Sequence, residues 1–492
     1  MTKAVMKIEK FERSKFSTDI AVSFAPEKEV KTPRVSIVFT SEEESRILPM
    51  TSEIKDGRVI AFGKYDPALI FLGFTPKKIS LSFIFSDGAD NGTEFASDLK
   101  IENIKNPPFH KFLSSSSREK KKALTAVLFS IASFPFRLLP IRKKRISFFT
   151  NRTDFPTGNL KAVFETVKDI DGADVKIICK KGGAKGALAI LFKFLYLYMT
   201  SKVVFVDDYY HLISYVKKKK KTKLIQLWHG CGAFKTFGFS RFHKDSALEI
   251  QSVNHRQYDY AIVSSPEICD YYAEAFGISR RKVLPLGSAR CDILADESYK
   301  KQMQEKFLKE FPQLCGKKIL LFAPTFRGKG NGDCYYPMEK FNADRVLDIL
   351  GDDWALAIKL HPYLKEKISF DEKNKNRIAL CDSWDINDVL FSVDFLVTDY
   401  SSVILEAALL EIPMAFLAFD LEEYIEKRDF YNEFTSFVPG PIVKTDAEAA
   451  EIAKNGEYDI HMIKNFADKS FGNTAGNACK NIKELTIKLL EE

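Results

Sequence analysis

The sequence "DFLVTDYSSVILEAALL", residues 394–410, holds a buried strand, a polar turn and a helix in one short stretch. Apolar residues come first, a Thr/Asp/Ser-rich turn with Ser401 and Ser402 follows, and an apolar helical pattern begins at about Val403. Helix starts present free N–H groups and a partial positive charge, so phosphate binds there readily. Serine also caps helices without any ligand. The stretch therefore predicts a strand–turn–helix unit and leaves its role open between phosphate binding and capping.

The same alternation of strands and helices begins at about residue 146. Strand patterns in a first set include "ISFFTN", "DVKIICK", "KVVFVDD" and "KLIQLWHG", and those in a second set include "KKILLFAPT", "WALAIKLHP" and "PMAFLAFD". Strands separated by helical patterns indicate βαβ units and parallel sheets. A polar helical stretch at residues 296–311 separates the sets. We therefore expect two doubly wound α/β domains, residues 146–300 and 301–492, with a ligand in the cleft between them.

Residues 1–110 have a different pattern. Short β-branched and aromatic runs such as "DIAVSF", "RVSIVFTS" and "SLSFIFSDG" are separated by turn residues. Such spacing predicts a small all-β, sandwich-like domain. It contains no polar cluster of a catalytic kind, so we interpret it as an interaction or spacer module.

Residues 111–145 form a basic segment. Ten Lys/Arg side chains are opposed by Glu119 alone, which gives +9 in a chain whose net charge is +8, so the rest is almost neutral. This distribution argues against a protein that coats nucleic acid. The apolar part, residues 123–136, is shorter than the roughly 20 residues of a membrane span, and Pro135 and Pro140 are expected to break a helix. We predict an amphipathic helix on an anionic membrane surface, with a domain-packing helix and a true span as alternatives.

The cysteines and the missing motifs exclude several classes of protein. The eight cysteines form no CxxC pair, which favours reduced thiols in a cytosolic protein. The N-terminus has no apolar run typical of a signal peptide. The sequence contains no HExxH, so a zinc site of that type is not expected. It also contains no GxxxxGK[ST] and no GxSxG, so neither a P-loop nor the nucleophile elbow of an α/β-hydrolase is expected. The pair Asp207 and Asp208 at a strand end suggests either a metal–nucleotide site or a structural role.

Polar residues collect where strands end. His229 follows "LIQLW" and is suited to act as a general base, although a packed histidine fits the same pattern. His361 precedes Pro362, which restricts it to extended geometry at a strand end. Thr325 and Arg327 follow "ILLFAP", and an arginine there is able to fork a phosphate or simply to lie at the surface. The carboxyl ends of parallel strands share one edge of a sheet, so these groups are expected to converge.

Five motifs together resemble a known family. They are "LWHG" followed by Lys235, "PLGSARCD", "APTFRG", "KLHP" and "VTDYSSVILEAAL", in that order, between about residues 146 and 490. The set is similar to the CDP-glycerol glycerophosphotransferases of wall teichoic acid and related polymer synthesis. The resemblance implies a glycosyltransferase-B fold with two Rossmann-like domains and an active site between them.

The resemblance also implies an activity and partners. A polyol phosphate, with glycerol phosphate as the first expectation, passes from a CDP-polyol such as CDP-glycerol to a hydroxyl of a lipid-linked acceptor, and CMP leaves. The protein is expected to lie peripherally on the cytoplasmic face of the cell membrane. A nucleotide-sugar glycosyltransferase of the same fold and an inactive membrane-surface binding protein are the alternatives. We expect neither an obligatory metal nor another cofactor.

The site residues follow from the same motifs. The resemblance makes His229 the base and His361 the second catalytic residue. It assigns the donor phosphates to Arg327, Ser401, Ser402 and Thr325. Other cleft candidates in these motifs are Lys235, Arg290, Lys359, Asp399 and Glu406. Residues 231–234, "CGAF", depart from the Thr-Pro-Leu-like stretch of many relatives, so substrate preference is expected to depend on them.

Overall fold

The structure is a computed structural model of the chain. It describes residues 6–13, 18–26, 30, 33–41, 45–65, 78–87, 93–102, 117–180, 186–241, 255, 257–328, 333–364, 367–428 and 430–492. Several turns of the predicted β domain and the first basic residues of segment 111–145 lie outside the described residues.

The N-terminal domain is a single antiparallel sheet bent into a half-barrel. Its order is β1-β2-β5-β4-β3-β6-β7. Strand β4 pairs with β3 up to Met50 and with β5 from Thr51 onward, so the two halves of the sheet share one long strand. Phe24 and Phe85, from opposite halves, contact each other with ring centroids 4.6 Å apart. The all-β prediction is confirmed, but one bent sheet replaces the two separate sheets of a sandwich. The strands are β1 (Lys7–Arg13), β2 (Thr18–Phe24), β3 (Pro33–Thr40), β4 (Ser45–Lys55), β5 (Arg58–Tyr65), β6 (Lys78–Asp87) and β7 (Thr93–Glu102).

The basic segment forms helix α1 (Ser117–Leu138), which contains Pro135. The prediction that Pro135 breaks the helix is wrong. The helix ends within one turn of this proline, so the ring removes a backbone hydrogen bond only where the helix is about to stop. No helix among the described residues is long and apolar enough to cross a membrane.

The first α/β domain contains a parallel six-stranded sheet of order β13-β12-β11-β10-β8-β9. Strand β10 is buried along its whole length, as expected for a strand covered by helices on both faces. The elements are β8 (Arg142–Thr150), α2 (Gly158–Val167), β9 (Asp174–Cys179), α3 (Ala187–Thr200), β10 (Ser201–Val206), α4 (His211–Tyr215), β11 (Lys223–Gln226), β12 (Tyr260–Ile262), α5 (Cys269–Phe276) and β13 (Val283–Leu284).

The second α/β domain also contains a parallel six-stranded sheet, with the order β16-β15-β14-β17-β18-β19. A 3-10 helix, Ala289–Ala295, and helix α6 (Glu297–Glu310) connect the domains. The remaining elements are β14 (Lys318–Phe322), α7 (Ala343–Leu350), β15 (Trp354–Ile358), β16 (Ile378–Leu380), α8 (Ile386–Leu390), β17 (Phe395–Thr398), α9 (Val403–Leu409), β18 (Met414–Leu417), α10 (Leu421–Lys427), α11 (Phe434–Phe437), β19 (Ile442–Val443), α12 (Asp446–Asn455), α13 (Ile460–Phe471) and α14 (Ala478–Glu491).

The last helix crosses back to the first α/β domain. Ala478, Ile482 and Leu489 of α14 share a core with Ile146 and Phe148 of β8. The predicted boundary, which placed all of residues 301–492 in the second domain, is therefore wrong for this helix. An amphipathic pattern shows that a helix needs a partner, but it does not specify which sheet provides the partner.

Each parallel sheet has one switch point, where the strand order reverses. It lies between β8 and β10 in the first sheet and between β14 and β17 in the second. Ligands of open α/β sheets bind outside the carboxyl ends of strands at such points. The segments that follow these strands contain Arg152, Asp208, Thr325 and Ser401. The topology therefore predicts that these residues lie near a ligand site.

Candidate active site

The tight turn after β11 carries His229. Trp228 has a φ of 53°, a left-handed conformation that is unfavourable for a bulky residue. The Trp228 N–H donates to Oε1 of Gln226 over 2.8 Å, and Gln226 Nε2 donates to the hydroxyl of Tyr258 over 2.8 Å. The hydroxyl of Tyr258 also pairs with Nδ1 of His255 at 2.9 Å. A strained backbone held by buried hydrogen bonds is a frequent feature of functional sites.

Asn159, at the start of α2, ties this turn to the connection between the domains. Its Nδ2 donates to the carbonyl oxygens of Leu227 and Trp228 over 3.1 and 3.0 Å. Its Oδ1 accepts from the Arg290 N–H over 2.8 Å and from the Ser288 hydroxyl over 3.2 Å. One buried amide thus uses both ends to fix the relative position of the turn and the Arg290 segment.

The imidazole of His229 is half-buried beside an acidic side chain. Its Nδ1 lies 3.8 Å from Oδ1 of Asp208, slightly beyond hydrogen-bond distance. Burial lowers the pKa of His229 to about 4, and the negative charge of Asp208 opposes this effect. The ring is therefore neutral at neutral pH, which is the state that a general base requires. Arg152 contacts Asp207 and Asp208 at 3.5 and 3.7 Å and completes this charged group.

Arg290 joins elements of both α/β domains. Its Nη1 donates to the carbonyl oxygen of His229 over 3.2 Å, and its Nη2 lies 3.2 Å from Oε1 of Glu406. Nη2 also reaches Oδ1 of Asn387 at 3.4 Å. Among the described residues, Nε of Arg290 has no hydrogen-bond partner, although it is buried. A buried donor without a partner is costly, so this atom marks a place where a ligand oxygen would be accommodated.

A cavity of about 330 Å³ opens next to Arg290. Its volume lies in the range of small-molecule sites. Its lining combines cationic, hydroxyl and apolar groups with two carboxylates, Asp385 and Glu406, of which Glu406 pairs with Arg290. The cationic and hydroxyl groups suit an anionic ligand, and the apolar groups suit a flat or apolar part of it. The residues that line it are Arg290, Ala323, Pro324, Lys359, Leu360, His361, Pro362, Trp384, Asp385, Ile386, Ser401, Ser402, Val403 and Glu406.

Positive charge surrounds His361. Burial and the nearby cations Lys235 and Lys359 lower the pKa of His361 to about 4. Burial likewise lowers the pKa of Lys235 to about 7. The Nζ of Lys359 donates to the carbonyl oxygen of Asp382 over 3.0 Å, which fixes it at the cavity wall. Cations that repel one another are relieved by a bound anion, so this wall is suited to phosphate.

Ser401 and Ser402 line the same cavity. Ser402 is the residue before α9, but its side chain makes no capping hydrogen bond, and the Ser401 hydroxyl accepts from the Val403 N–H only at 3.4 Å. Helix capping therefore explains the serine at position 401 only through one long hydrogen bond, and it does not explain the hydroxyl group at position 402. Both hydroxyls remain suitable donors for a ligand in the cavity.

Arg327, which the sequence predicts to bind phosphate, does not line this cavity. Its guanidinium is buried and forks Asp420 with bonds of 2.7 and 3.0 Å, and Nη1 donates to Asp399 over 2.8 Å. These carboxylates hold the pKa of Arg327 above its usual range, although burial opposes them. Asp399 also accepts from the Thr325 N–H over 2.8 Å. Two carboxylates neutralise the charge of Arg327, which thereby connects the strand ends. Thr325 and Asp399 belong to the same network.

The structure thus divides the predicted residues into groups. Six of them line the cavity, namely Arg290, Lys359, His361, Ser401, Ser402 and Glu406. His229 is joined to the cavity wall by Arg290, and Lys235 acts on His361 through its charge. Arg327, Thr325 and Asp399 form the buried network. Sequence reasoning missed Asn159, and it left the role of Asp208 open although both aspartates stand at a strand end.

The fold and the site define an α/β protein whose cation-lined cavity lies at the carboxyl ends of parallel strands. Residues 131–488 match the family described as CDP-Glycerol:Poly(glycerophosphate) glycerophosphotransferase. The chain belongs to this family, and the resemblance drawn from its motifs is confirmed.

The relatives include two polymerases and a primase. The chain is 37% identical over 374 residues to the teichoic acid poly(ribitol-phosphate) polymerase of Bacillus spizizenii, covering 75% of this chain and 60% of that protein. It is 37% identical to the teichoic acid ribitol-phosphate polymerase TarK of Staphylococcus aureus, covering 76% and 73%. It is 35% identical to the teichoic acid ribitol-phosphate primase of Bacillus spizizenii, covering 72% and 93%. The chain thus spans less than two thirds of the first of these relatives.

A solved structure shares the fold. The wall teichoic acid polymerase TagF superimposes with a TM-score of 0.60 at 20% identity, covering 77% of this chain and 99% of that chain. At this identity the likeness shows a common mixed α/β fold.

Proposed function

We propose that the protein transfers a polyol phosphate from a CDP-polyol to a hydroxyl of a lipid-linked acceptor in teichoic acid synthesis. The observation that carries this proposal is the cavity in which Lys359, His361, Ser401 and Ser402 form one wall and Arg290 connects to His229. These side chains have the chemistry to hold a pyrophosphate, and Arg290 at the cavity contacts the backbone of His229, whose imidazole is neutral. Membership of a glycerophosphotransferase family supports the same reaction.

The donor side of the reaction depends on the second domain. Lys359, His361 and the two serine hydroxyls hold the pyrophosphate, and Arg290 approaches it from the connection between the domains. Trp384, Pro324 and Ile386 offer apolar surface for the nucleoside. The phosphate charge raises the pKa of His361 toward its ordinary value, so the ring gains a proton that it donates to a phosphate oxygen. These fixed cations stabilise the negative charge that develops on the leaving CMP, so no obligatory metal is required.

The acceptor side depends on His229. Its ring takes the proton of the acceptor hydroxyl while the oxygen attacks the phosphorus that carries the polyol. A new P–O bond forms, the P–O bond to CMP breaks, and CMP leaves with the bonding electron pair. Asp208 faces Nδ1 and stabilises the imidazolium. Positioning of the hydroxyl, the phosphorus and the leaving group contributes much of the rate.

The architecture supports the finer fold assignment. Two parallel, doubly wound sheets, each with its switch point, and a last helix that crosses back fit a glycosyltransferase-B type arrangement. The second sheet has the Rossmann strand order, and the first has the related flavodoxin-like order. In this arrangement the acceptor binds the first α/β domain and the CDP-polyol binds the second.

The relatives favour ribitol phosphate as the transferred group. The relatives named for ribitol phosphate are 35–41% identical to this chain, and those named for glycerol phosphate are 26–31% identical. We therefore place CDP-ribitol before CDP-glycerol as the donor, which reverses the order expected from the motifs.

A donor panel tests the reaction. CMP release is measured with CDP-ribitol, CDP-glycerol, a UDP-sugar and a GDP-sugar in the presence of a lipid-linked acceptor analogue. We expect turnover with a CDP-polyol and a loss of at least a hundredfold for His229→Ala and His361→Ala. His461→Ala, at an exposed histidine, is the matched control. Activity with a nucleotide-sugar alone indicates a glycosyltransferase, and no turnover with any donor indicates a binding protein.

We also propose that the protein lies peripherally on the cytoplasmic face of the membrane. One face of α1 packs on the first α/β domain, where Phe129 stacks on Tyr215 at 5.4 Å. The other face leaves Ile131, Phe134 and Leu138 exposed by 65%, 62% and 74%. Packing thus explains one face only, and the exposed apolar face beside basic residues suits an anionic lipid interface.

Vesicle binding tests this location. Binding to anionic vesicles is expected to weaken with salt and to fall severalfold in Phe134→Ser. Phe155→Ser, at a phenylalanine exposed by 64% elsewhere on the domain, is the control. Equal loss in both variants, or binding that salt does not affect, contradicts the proposal.

A further inference from the structure

Two cysteine side chains and a glutamate side chain lie close together next to the cavity of the candidate active site. Cys231 lies in the turn after β11, Cys291 in the 3-10 helix between the domains, and Glu406 on α9. The two Sγ atoms and one carboxylate oxygen all lie within 4.8 Å of one another, and all three side chains are buried. Three separate parts of the chain thus bring together three possible metal ligands: two cysteine sulfurs, which are soft ligands, and one carboxylate oxygen, which is a hard ligand.

One oxygen of the glutamate has no hydrogen-bond partner in the described part of the chain. Oε1 of Glu406 lies 3.2 Å from Nη2 of Arg290, whereas Oε2 is buried without a hydrogen-bond partner among the described residues. Glu406 is only 3% exposed, so water reaches this carboxylate poorly. Buried carboxylate oxygens are rarely left unpaired, because losing hydration without a replacement is unfavourable. Because Arg290 contacts only Oε1, Oε2 stays available to a cation.

We propose that Cys231, Cys291 and Glu406 bind one thiophilic divalent cation, with zinc as the ion that fits best. Zinc takes thiolate and carboxylate ligands at about 2.3 and about 2.0–2.2 Å, usually in tetrahedral geometry. Tetrahedral ligands at such distances are about 3.5–3.8 Å apart, so the side chains move together by about 1 Å or less. Glu406 also lines the cavity, and a water molecule would complete the tetrahedral set.

The charges balance at this site. Two thiolates and one carboxylate carry three negative charges, and the cation together with Arg290 carries three positive charges. Each thiol releases its proton to solvent when its sulfur binds the ion. The hydrogen bond with Cys291, followed by burial, raises the pKa of the Cys231 thiol well above its ordinary value. Without the ion, this thiol is therefore protonated.

The position of the ion gives it a structural role. It links the turn that carries His229, the connection between the domains, and the helix that follows Ser402. The ion lies outside the proposed transfer step, so its binding does not depend on the proposed function. It would hold the two walls of the cavity in one relative position.

Cobalt(II) tests the site directly. The full-length protein is reduced, freed of metal with a chelator and titrated with Co²⁺. We expect one equivalent to produce thiolate-to-cobalt charge-transfer absorption and the visible bands of tetrahedral cobalt, and we expect Zn²⁺ to abolish both. Cys231→Ser and Cys291→Ser should weaken binding at least tenfold. Cys315→Ser, at an exposed cysteine, and Cys381→Ser, at a buried cysteine elsewhere, should bind as the wild type does.

A second measurement needs no variant. Alkylation of the wild-type protein, mapped by mass spectrometry with and without Zn²⁺, reports each cysteine separately. Zinc should protect Cys231 and Cys291 and leave Cys315 equally reactive. The proposal is overturned if no tetrahedral spectrum appears, if the spectrum is unchanged in the Cys231 and Cys291 variants, or if zinc protects neither thiol.

Discussion

Replacing Asp208 with asparagine tests the assignment of His229 as the base. The side chains keep their size, and only the negative charge 3.8 Å from Nδ1 is removed. At that distance two unit charges interact by about 4 kcal/mol at an effective dielectric constant of 20. The two side chains are 35% and 30% exposed, and solvent screening reduces this value to about 1–2 kcal/mol. The imidazolium formed in the transition state loses that stabilisation, so kcat should fall about 5- to 30-fold.

The pH dependence of the Asp208→Asn variant gives a second prediction, which has a definite direction. Asp208 raises the pKa of His229 against the effect of burial, so its removal should move the acid limb of kcat/KM to lower pH by about 1. Initial rates of CMP release are measured from about pH 3 to about pH 8 over a range of donor concentrations, so that kcat and kcat/KM are both obtained. Asp270→Asn, which removes an exposed ion pair with Arg280, is the control. An unchanged kcat, or an acid limb that moves to higher pH, refutes the pairing of Asp208 with His229.

The other predictions concern the residues around this pair. Asn159→Ala removes the four hydrogen bonds of a buried amide, so it should cost about 2–5 kcal/mol of stability and lower kcat at least tenfold. Asn374→Ala, at a remote buried asparagine, should lower the melting temperature alone. Arg327→Ala leaves the buried Asp399 and the partly buried Asp420 without their cation and should destabilise the fold by about 3–5 kcal/mol. A stable variant with only a raised KM would support the predicted phosphate role. His361 should take up a proton when the donor binds. Calorimetry in buffers of different ionisation enthalpy measures this uptake, and His361→Gln should abolish it. Burial lowers the pKa of His255 to about 3 and that of His361 to about 4, so the unfolded chain binds more protons and thermal stability should fall as pH drops below about 6.5.

The fold could be predicted from the sequence because periodicity reports burial. Strands such as β10 are apolar throughout, and helices separate them, so two parallel sheets followed directly from the pattern. The pattern did not predict that β4 serves both halves of one bent sheet, because strand pairing is a property of the assembled domain. The partner of α14 was missed for the same reason, since its apolar stripe fits either sheet.

The site could be predicted only where placement at a strand end was sufficient. His229, His361 and Ser401 follow strands, and the parallel sheets bring them to the cleft. Arg327 also follows a strand, but its role depends on Asp420, a residue far along the chain that arrives only through the fold. Asn159 shows the opposite case: nothing in its own surroundings in the sequence marks it, yet its two amide ends connect the turn that carries His229 to the Arg290 segment.

Arg290 explains why the two halves of the site must act together. Its guanidinium contacts the His229 carbonyl of the first α/β domain and, in the second, Asn387 on α8 and Glu406 on α9. A donor phosphate that binds the Arg290 guanidinium therefore also acts on the turn that carries His229, because Arg290 donates a hydrogen bond to the His229 carbonyl oxygen. Because Glu406 already neutralises part of the charge of Arg290, the cavity wall is ordered before any substrate arrives, and little reorganisation is needed when the phosphate binds. The proposed cation beneath Glu406 would strengthen the same arrangement, since it would fix the carboxylate against which Arg290 is held.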